Sequence, residues 1–384
     1  MREPVIVSAD EALGALDRFD EVLDARSPSE HADDRLPGAV SAPVLDDAER
    51  IEVGTLHAQA GAFAARARGA ALVSRNIGAL LETRFCGRPP EWRPLVYCWR
   101  GGNRSGALAT VLARVGWRVS VLDGGYRAYR RRVLHDLQTW PARFAFVVVA
   151  GRTGSAKSRL LGTLVARGRQ VLDLESIGRH RGSVLGGLPD AAQPSQRLFE
   201  TGLWDALRGL DERLPVFVES ESKRVGRVHV PDALMRAVRA SPVVRIEMDR
   251  AARARFLLDD YSHFVSDPAS LYAQLDRLVE LHGRERIAGW RTLAEAGRWE
   301  AFVSTLLEAH YDPAYDRSMR RNYPRLDEQA AVGLASAEAG ALERAAAEVE
   351  RAAGLAGPPR SDGAPDALSR AATDARRSSD APAS

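Results

Sequence analysis

At 384 residues the chain has room for two or three domains of ordinary size. Hydrophobic residues make up 45% and charged residues 27%, a balance that excludes a wholly disordered, collagen-like or membrane-embedded protein. Lys and Arg outnumber Asp and Glu by only 54 to 51, a net charge of +3, which permits an anionic partner without demanding one.

The N-terminus, MREPVIVSADEAL, carries acids where a signal peptide would be apolar, so a cytoplasmic location is expected. PVIVS (4–8), EVLDA (21–25), PLVYC (94–98) and RVSVLD (118–123) read as strands. Helical patterns at 9–18, 54–84 and 105–115 lie between them. Strands that alternate with helices predict a parallel sheet, and so an α/β domain over 1–134. HDLQTWPAR (135–143) reads as a linker. FAFVVVA (144–150) opens a second α/β unit, expected over 144–325. It is the longest apolar run and far short of the roughly 18 residues that cross a membrane. Strands follow at QVLDLE (170–175), PVFVESE (215–221) and VVRIEM (243–248), then helical patterns from about 251 to 310. The Ala/Glu/Arg-rich stretch 326–356 reads as one helix, and the Pro/Ser/Asp/Ala-rich end, 357–384, as a disordered tail.

The two cysteines, Cys86 and Cys98, form no CxxC pair or Cys/His cluster, so no zinc site is expected and both read as reduced thiols. Their settings differ. Cys86, in RFCGRPPEW, reads as structural. Cys98 ends a predicted strand, and Trp99, Arg100, Gly101, Gly102, Asn103 and Arg104 form a short loop before a helix that opens near Ser105. Such a turn points amides and a helix N-terminus at the sulfur and favours the thiolate, while two arginines add positive charge. The result is an anion cradle with a nucleophile at its floor. The spacing C-x5-R-S suits a cysteine phosphatase and a sulfur-carrying rhodanese equally. The upstream segment LDARSPSEHADDRLPGAV (23–40) separates them. It resembles the rhodanese opening pattern, with Asp24, Arg26 and Glu30 in D-x-R-x-x-x-E, then Leu36, Pro37, Gly38 and Ala39. LDGGYRAYR (122–130) is similar to the rhodanese segment after the active-site loop. The loop itself is longer than in common rhodaneses, with room for a larger anion.

GRTGSAKS spans Gly151, Arg152, Thr153, Gly154, Ser155, Ala156, Lys157 and Ser158, between a strand and a helical run. This is the setting of a Walker-type phosphate loop. Loop amides cradle phosphate, Lys157 reaches its outer oxygens and Ser158 can bind Mg²⁺. Ala156 replaces the usual Gly, and a methyl there narrows the loop and disfavours positive φ. Asp173 and Glu175, and Glu219 and Glu221, end two other strands and are candidates to orient Mg²⁺ or water. No metal ligand set stands out beyond these. The loop IGRHRGSVLG, with Arg179, His180 and Arg181, and the run KRVGR, with Lys223, Arg224 and Arg227, suit an RNA backbone. Trp99, Tyr126, Trp204 and Tyr261 are candidate stacking platforms, though each also fits a core.

Taken together these motifs carry a resemblance to the tRNA 2-selenouridine synthase family over about residues 4–325. It extends to PVLDDAERIEVGTLH (43–57), LDLESIGRHRGS (172–183), QPSQRLFE (193–200), VESESKRVGRVHVP (218–231) and HYDPAY (310–315). The resemblance implies an N-terminal rhodanese-like parallel-sheet domain followed by a P-loop NTPase-like α/β domain with a helical C-terminal part. It implies a transferase that converts wobble 2-thiouridine of tRNA to 2-selenouridine. Selenophosphate would be the selenium donor, and a geranylated intermediate would be made from geranyl diphosphate. Cys98 would carry selenium as a selenenylsulfide, with Arg100, Arg104 and the loop amides holding the anion. The phosphate loop would take the prenyl diphosphate or an RNA phosphate. A transient contact with selenophosphate synthetase, and no membrane partner, complete the expectation. Two rivals stay open: a sulfurtransferase or cysteine phosphatase fused to a kinase-like P-loop domain, and a non-catalytic tRNA-binding module with a degenerate loop.

Overall fold

A computed structural model describes residues 2–183, 186–187, 192–324 and 326–355. The predicted tail, 357–384, lies outside the described residues. The chain divides into two compact units. The first holds residues up to Asp136 with Arg197–Asp205, and the second holds Leu137–Gln196 and the chain from Ala206 onward.

In the first unit β1 (Val5–Val7), β2 (Glu21–Asp24), β3 (Ala39–Ser41), β4 (Pro94–Tyr97) and β5 (Ser120–Leu122) form a parallel sheet in the order β1-β5-β4-β2-β3. All four residues of β4 are buried, which is why its sequence runs apolar without alternating, as a central parallel strand must. The helix Asn103–Val115 presents Leu108, Ala109, Leu112 and Ala113 to this core, one apolar face at helical spacing. They pack with Leu23, Val96, Trp117 and Val121. The boundary between the two units falls within the expected linker, 135–143. The helix Gly125–Thr139 runs into a short 3-10 turn, Trp140–Arg143. Buried Tyr129, Val133 and Leu137 recur every fourth residue, one apolar face at helical spacing.

In the second unit β6 (Phe146–Gly151), β7 (Gln170–Leu172) and β8 (Val216–Glu219) precede a small antiparallel hairpin, β9 (Arg224–Val225) and β10 (Val228–His229). β11 (Val243–Glu247) and β12 (Ala330–Gly333) complete a parallel sheet in the order β12-β11-β6-β8-β7. The chain leaves the central β6 toward β7 and β8 on one side and reaches β11 on the other. The carboxyl end of β6 is therefore the reversal point at which such sheets bind ligands. Residues 326–356 are not one helix as expected. β12 comes first, and the helix begins only at Ala339 and runs to Ala352. Only Val332 of β12 is buried, and Ala and Gly carry little strand preference, so the edge strand left no period to read. The helical part gathers its own core around Phe264, Leu271, Leu275, Trp290, Phe302 and Leu306. Among the described residues no helix is long and apolar enough to cross a membrane.

Candidate active site

Cys98 follows β4 directly and is 3% exposed. The Ser105 hydroxyl donates to its sulfur at 3.1 Å. Burial pushes the thiol pKa up. That effect is outweighed by the Ser105 hydroxyl, the Ser105 and Arg100 amides and the charge of Arg104, so the thiol sits below its ordinary value. Gly102 caps the helix that starts at Asn103, and Arg100, Gly102 and Asn103 face solvent.

A second segment locks this loop. The Tyr126 amide donates to the Cys98 carbonyl at 2.8 Å and the Arg127 amide to the Trp99 carbonyl at 3.1 Å. Gly101 has φ +68°, and a Cβ there would stand 2.5 Å from the Leu122 carbonyl oxygen. Gly125 has φ +54°, and a Cβ there would collide with the Cys98 carbonyl oxygen. The two stretches approach so closely that neither tolerates a side chain at these points.

The acids and bases of the opening segment brace the cradle. Arg26, 1% exposed, donates from Nε and a terminal nitrogen to the Asp24 carboxylate at 2.9 and 2.6 Å. The Tyr97 hydroxyl donates to the same carboxylate at 2.8 Å. Burial raises the Asp24 pKa, but His31 and Arg26 outweigh it and hold the carboxyl below its ordinary value. Arg26 also lies 4.2 Å from the centre of the Tyr126 ring, and Trp99 stacks on Tyr126 at 5.2 Å. Tyr126 donates to Asp34 at 2.7 Å, and Thr201 donates to the other oxygen of Asp34 at 2.7 Å. Arg104 is paired within the cradle. Glu30 holds its guanidinium at 2.7 and 3.4 Å. Of the proposed stacking platforms, Tyr126 and Trp204 are core residues; Trp99 and Tyr261 are half-buried.

In the second unit the loop Gly151–Ser158 leaves β6 and enters the helix Lys157–Ala166. Lys157 Nζ donates to the Gly151 carbonyl at 2.7 Å, so the ammonium folds back over the loop. Burial lowers its pKa, and Glu175, Glu221 and Glu219 oppose that. Arg152 is engaged by Asp316 at 2.8 Å. Ala156 takes the left-handed conformation, φ +54°, at a cost of roughly 1–2 kcal/mol. Its methyl packs in the core with Val149, Leu160 and Leu161. The methyl therefore does not line the loop as expected; the cost of Ala lies in the backbone. Ser155 is buried, and its hydroxyl has no hydrogen-bond partner.

Three of the four candidate acids, Glu175, Glu219 and Glu221, lie near Lys157. Ser158 donates to Glu175 at 2.8 Å, and the Glu175 amide donates to Glu219 at 2.9 Å. The second oxygen of Glu219 is buried without a partner. Burial and the neighbouring Glu175 push the Glu221 carboxyl up to about 7, against the pull of Lys157. Asp173 caps its own helix through the Ser176 amide at 2.8 Å. Among the described residues no three His, Cys, Asp or Glu side chains are grouped to hold a metal. The oxygen chemistry of Ser158 and Glu175 nonetheless suits Mg²⁺, which binds through one or two carboxylates plus substrate phosphates.

The candidate RNA contacts fall into two groups. Arg179 is a left-handed helix cap, His180 accepts from the Gly182 amide at 3.1 Å, and Arg181 lies 4.6 Å over the Tyr261 ring. Lys223, Arg224 and Arg227 belong to the β9–β10 hairpin and its approach, where Lys223 pairs with Asp232 at 2.6 Å. Gln193, missed in the sequence, ties the two groups together. Its amide donates to the Gly178 and Val225 carbonyls at 3.0 and 3.1 Å and accepts from the Arg227 amide at 2.8 Å. Also missed was Arg253, 2% exposed, which donates to the Thr153 carbonyl at 3.0 Å and to both oxygens of Asp312 at 2.7 Å. Asp312 lies inside the quoted HYDPAY stretch, but nothing near Arg253 marked it as the partner.

Comparisons with known proteins agree with this division. A family model described as a rhodanese-like domain matches residues 8–132, and one described as the tRNA 2-selenouridine synthase AAA domain matches residues 144–294. The tRNA 2-selenouridine synthase of Alcanivorax borkumensis is 31% identical over 335 residues, 78% of this chain and 90% of that protein. That of Cupriavidus necator is 34% identical over 327 residues, 77% of this chain and 87% of that protein. That of Nitrosomonas europaea is 34% identical over 251 residues, and the match spans 62% of this chain and 63% of that relative's length. With two relatives above 30% identity aligned along most of their length, this chain belongs to the tRNA 2-selenouridine synthase family.

Proposed function

We propose that this chain is a tRNA-modifying transferase that replaces the C2 sulfur of wobble 2-thiouridine by selenium from selenophosphate. The observation that carries the reading is Cys98. It is a buried thiol held toward the thiolate by the Ser105 hydroxyl and two loop amides, in a chain that also holds a phosphate loop. A thiolate so placed is a nucleophile for a soft chalcogen donor, and the surrounding donors suit an anion. Selenium in selenophosphate is already at the selenide level, so Cys98 would act at phosphorus: an S–P bond forms and the P–Se bond breaks, the released hydrogen selenide displaces the geranylated sulfur at C2 as geranylthiol, and water then frees phosphate from the thiol.

We assign the phosphate loop to geranyl diphosphate. The C2 sulfur of the nucleoside attacks the first carbon of the geranyl chain. A C–S bond forms, a C–O bond breaks and diphosphate leaves; the nucleoside gives up its N3 proton. The sulfur is then a better leaving group for selenium. Lys157 and the loop amides would stabilise the departing diphosphate. Mg²⁺, held by Ser158 and Glu175 with diphosphate oxygens, would supply further charge neutralisation there. The groups around Arg181 and the β9–β10 hairpin would meet the tRNA backbone.

The test is replacement of Cys98 by Ser or Ala, with selenouridine in tRNA measured by mass spectrometry. Selenation at the parent level would remove this reading. The rival sulfurtransferase or phosphatase reading predicts robust turnover of thiosulfate with cyanide, or of a generic phosphate ester, and no change in tRNA.

A further inference from the structure

Beside the phosphate loop the second unit has a partly open apolar pocket, the kind of concave, mostly apolar setting in which small ligands bind. Its walls are mainly aliphatic and aromatic, among them Leu257, Leu271, Trp299, Phe302 and Leu306, and Thr153 of the phosphate loop is part of the lining. Loop and cavity share a wall. The helix Arg250–Asp260 carries Leu257, which lines the cavity and also presses on the loop. A Cβ at Gly154 would stand 2.8 Å from a Leu257 methyl. Arg253 of the same helix fixes the loop through the Thr153 carbonyl.

The lining is mainly aliphatic and aromatic, with the side chains of Thr153 and Ser183 and the hydroxyls of Tyr261 and Tyr311 among its polar groups. A nucleotide base seated among Leu257, Leu271, Phe302 and Leu306 would leave most of its ring nitrogens and exocyclic groups unpaired, which is costly. A hydrocarbon chain would not.

We propose that this cavity is the hydrocarbon pocket of the phosphate loop and holds the isoprenoid tail of a prenyl diphosphate. The assignment rests on the reading that the loop takes a diphosphate ester, and it adds which residues grip the tail and set its length. Leu257 and Thr153 sit where head and tail join. Phe302 and Leu306 line the pocket with them.

The experiment is calorimetric titration of the full chain with inorganic pyrophosphate, dimethylallyl diphosphate and geranyl diphosphate. Each buried methylene is worth roughly fourfold in Kd. Geranyl diphosphate should therefore bind on the order of 100-fold tighter than the five-carbon ester, allowing for partial burial of its added carbons. Val303→Trp, from a half-buried lining position, should fill the pocket and bring geranyl diphosphate down to the five-carbon level. Inorganic pyrophosphate should bind as in the parent, which also shows that the variant is folded. Leu258→Trp, from another half-buried lining position, serves as the second variant. Equal affinity for the two esters, or parent-like geranyl binding in both Trp variants, overturns the pocket and leaves the loop reading standing. If no diphosphate binds and Lys157→Ala changes nothing, the loop reading fails and the pocket assignment falls with it.

Discussion

Glu30 grips the Arg104 guanidinium through two hydrogen bonds, 2.7 and 3.4 Å long, and so fixes a loop arginine whose charge helps hold the Cys98 thiol below its ordinary value. Glu30 is itself held by the Ser27 amide at 3.1 Å. Arg104→Lys keeps the charge and loses the fork. It should lower selenation several-fold while leaving the alkylation midpoint of Cys98 close to the parent. Arg104→Ala should move that midpoint up as well. Identical behaviour of the two variants would mean that geometry is irrelevant.

The Ser105 hydroxyl is the strongest of the groups that favour the Cys98 thiolate. A hydrogen bond to a charged group is worth about 1.5–3 kcal/mol, so Ser105→Ala should raise the thiol pKa by about one unit or more. The rate of iodoacetamide modification against pH reads this directly. It is best measured in a Cys86→Ser background, because Cys86 is exposed. A midpoint that stays put would show that the amides alone suffice.

Glu221 gives the second unit a pH dependence. Its folded carboxyl titrates at about 7 against an ordinary 4.5. The folded state therefore holds a proton that the unfolded chain has released. Stability from this group is fully present below the unfolded value and falls as pH rises toward about 7, by at most about 1.4 kcal/mol per pH unit. Thermal melts across that window should decline in the parent and flatten in Glu221→Gln. A parallel decline in both would assign the slope to another group.

Asp312→Asn should strand a buried guanidinium. Breaking a buried pair in this way costs about 3–5 kcal/mol, and Arg253 also loses the support that holds Thr153 in place. Urea unfolding gives the stability loss, and pyrophosphate titration at low temperature gives the loss of loop affinity. Unaltered pyrophosphate affinity in the folded variant would separate the ion pair from the loop.

Lys157→Ala should impair geranylation of tRNA much more than selenation of tRNA already geranylated, because Lys157 and Cys98 belong to different units. Equal loss in both steps, followed by mass spectrometry of tRNA, would show that the labour is not divided in this way.

Much of this was legible in the chain. The parallel α/β order showed in apolar runs such as PLVY and FVVVAG, because a strand buried on both faces cannot alternate. The Cys98 and Lys157 loops showed because glycines, a nucleophile or ammonium, and a following helix sit at adjacent positions. What stayed hidden is what long-range contact creates. Arg253 meets Asp312 only after the helical part has folded back, and an Arg in an Arg-rich sequence carries no mark. Gln193 is one polar residue in a polar loop. β12 is an edge strand of Ala and Gly whose pairing with β11 supplies what its composition lacks. The pairing of Arg104 with Glu30 stayed hidden because the two lie far apart in the sequence.

The interlocked backbones of Gly101 and Gly125 carry a consequence for engineering and for descent. Residues 98–105 and 122–127 are two halves of one casting, since each leaves the other no space for a methyl group. A graft that imported the first stretch from a sulfur-handling relative would inherit a mould without its counterpart. Both would have to travel together, and in living lineages a change in one should be found beside a change in the other.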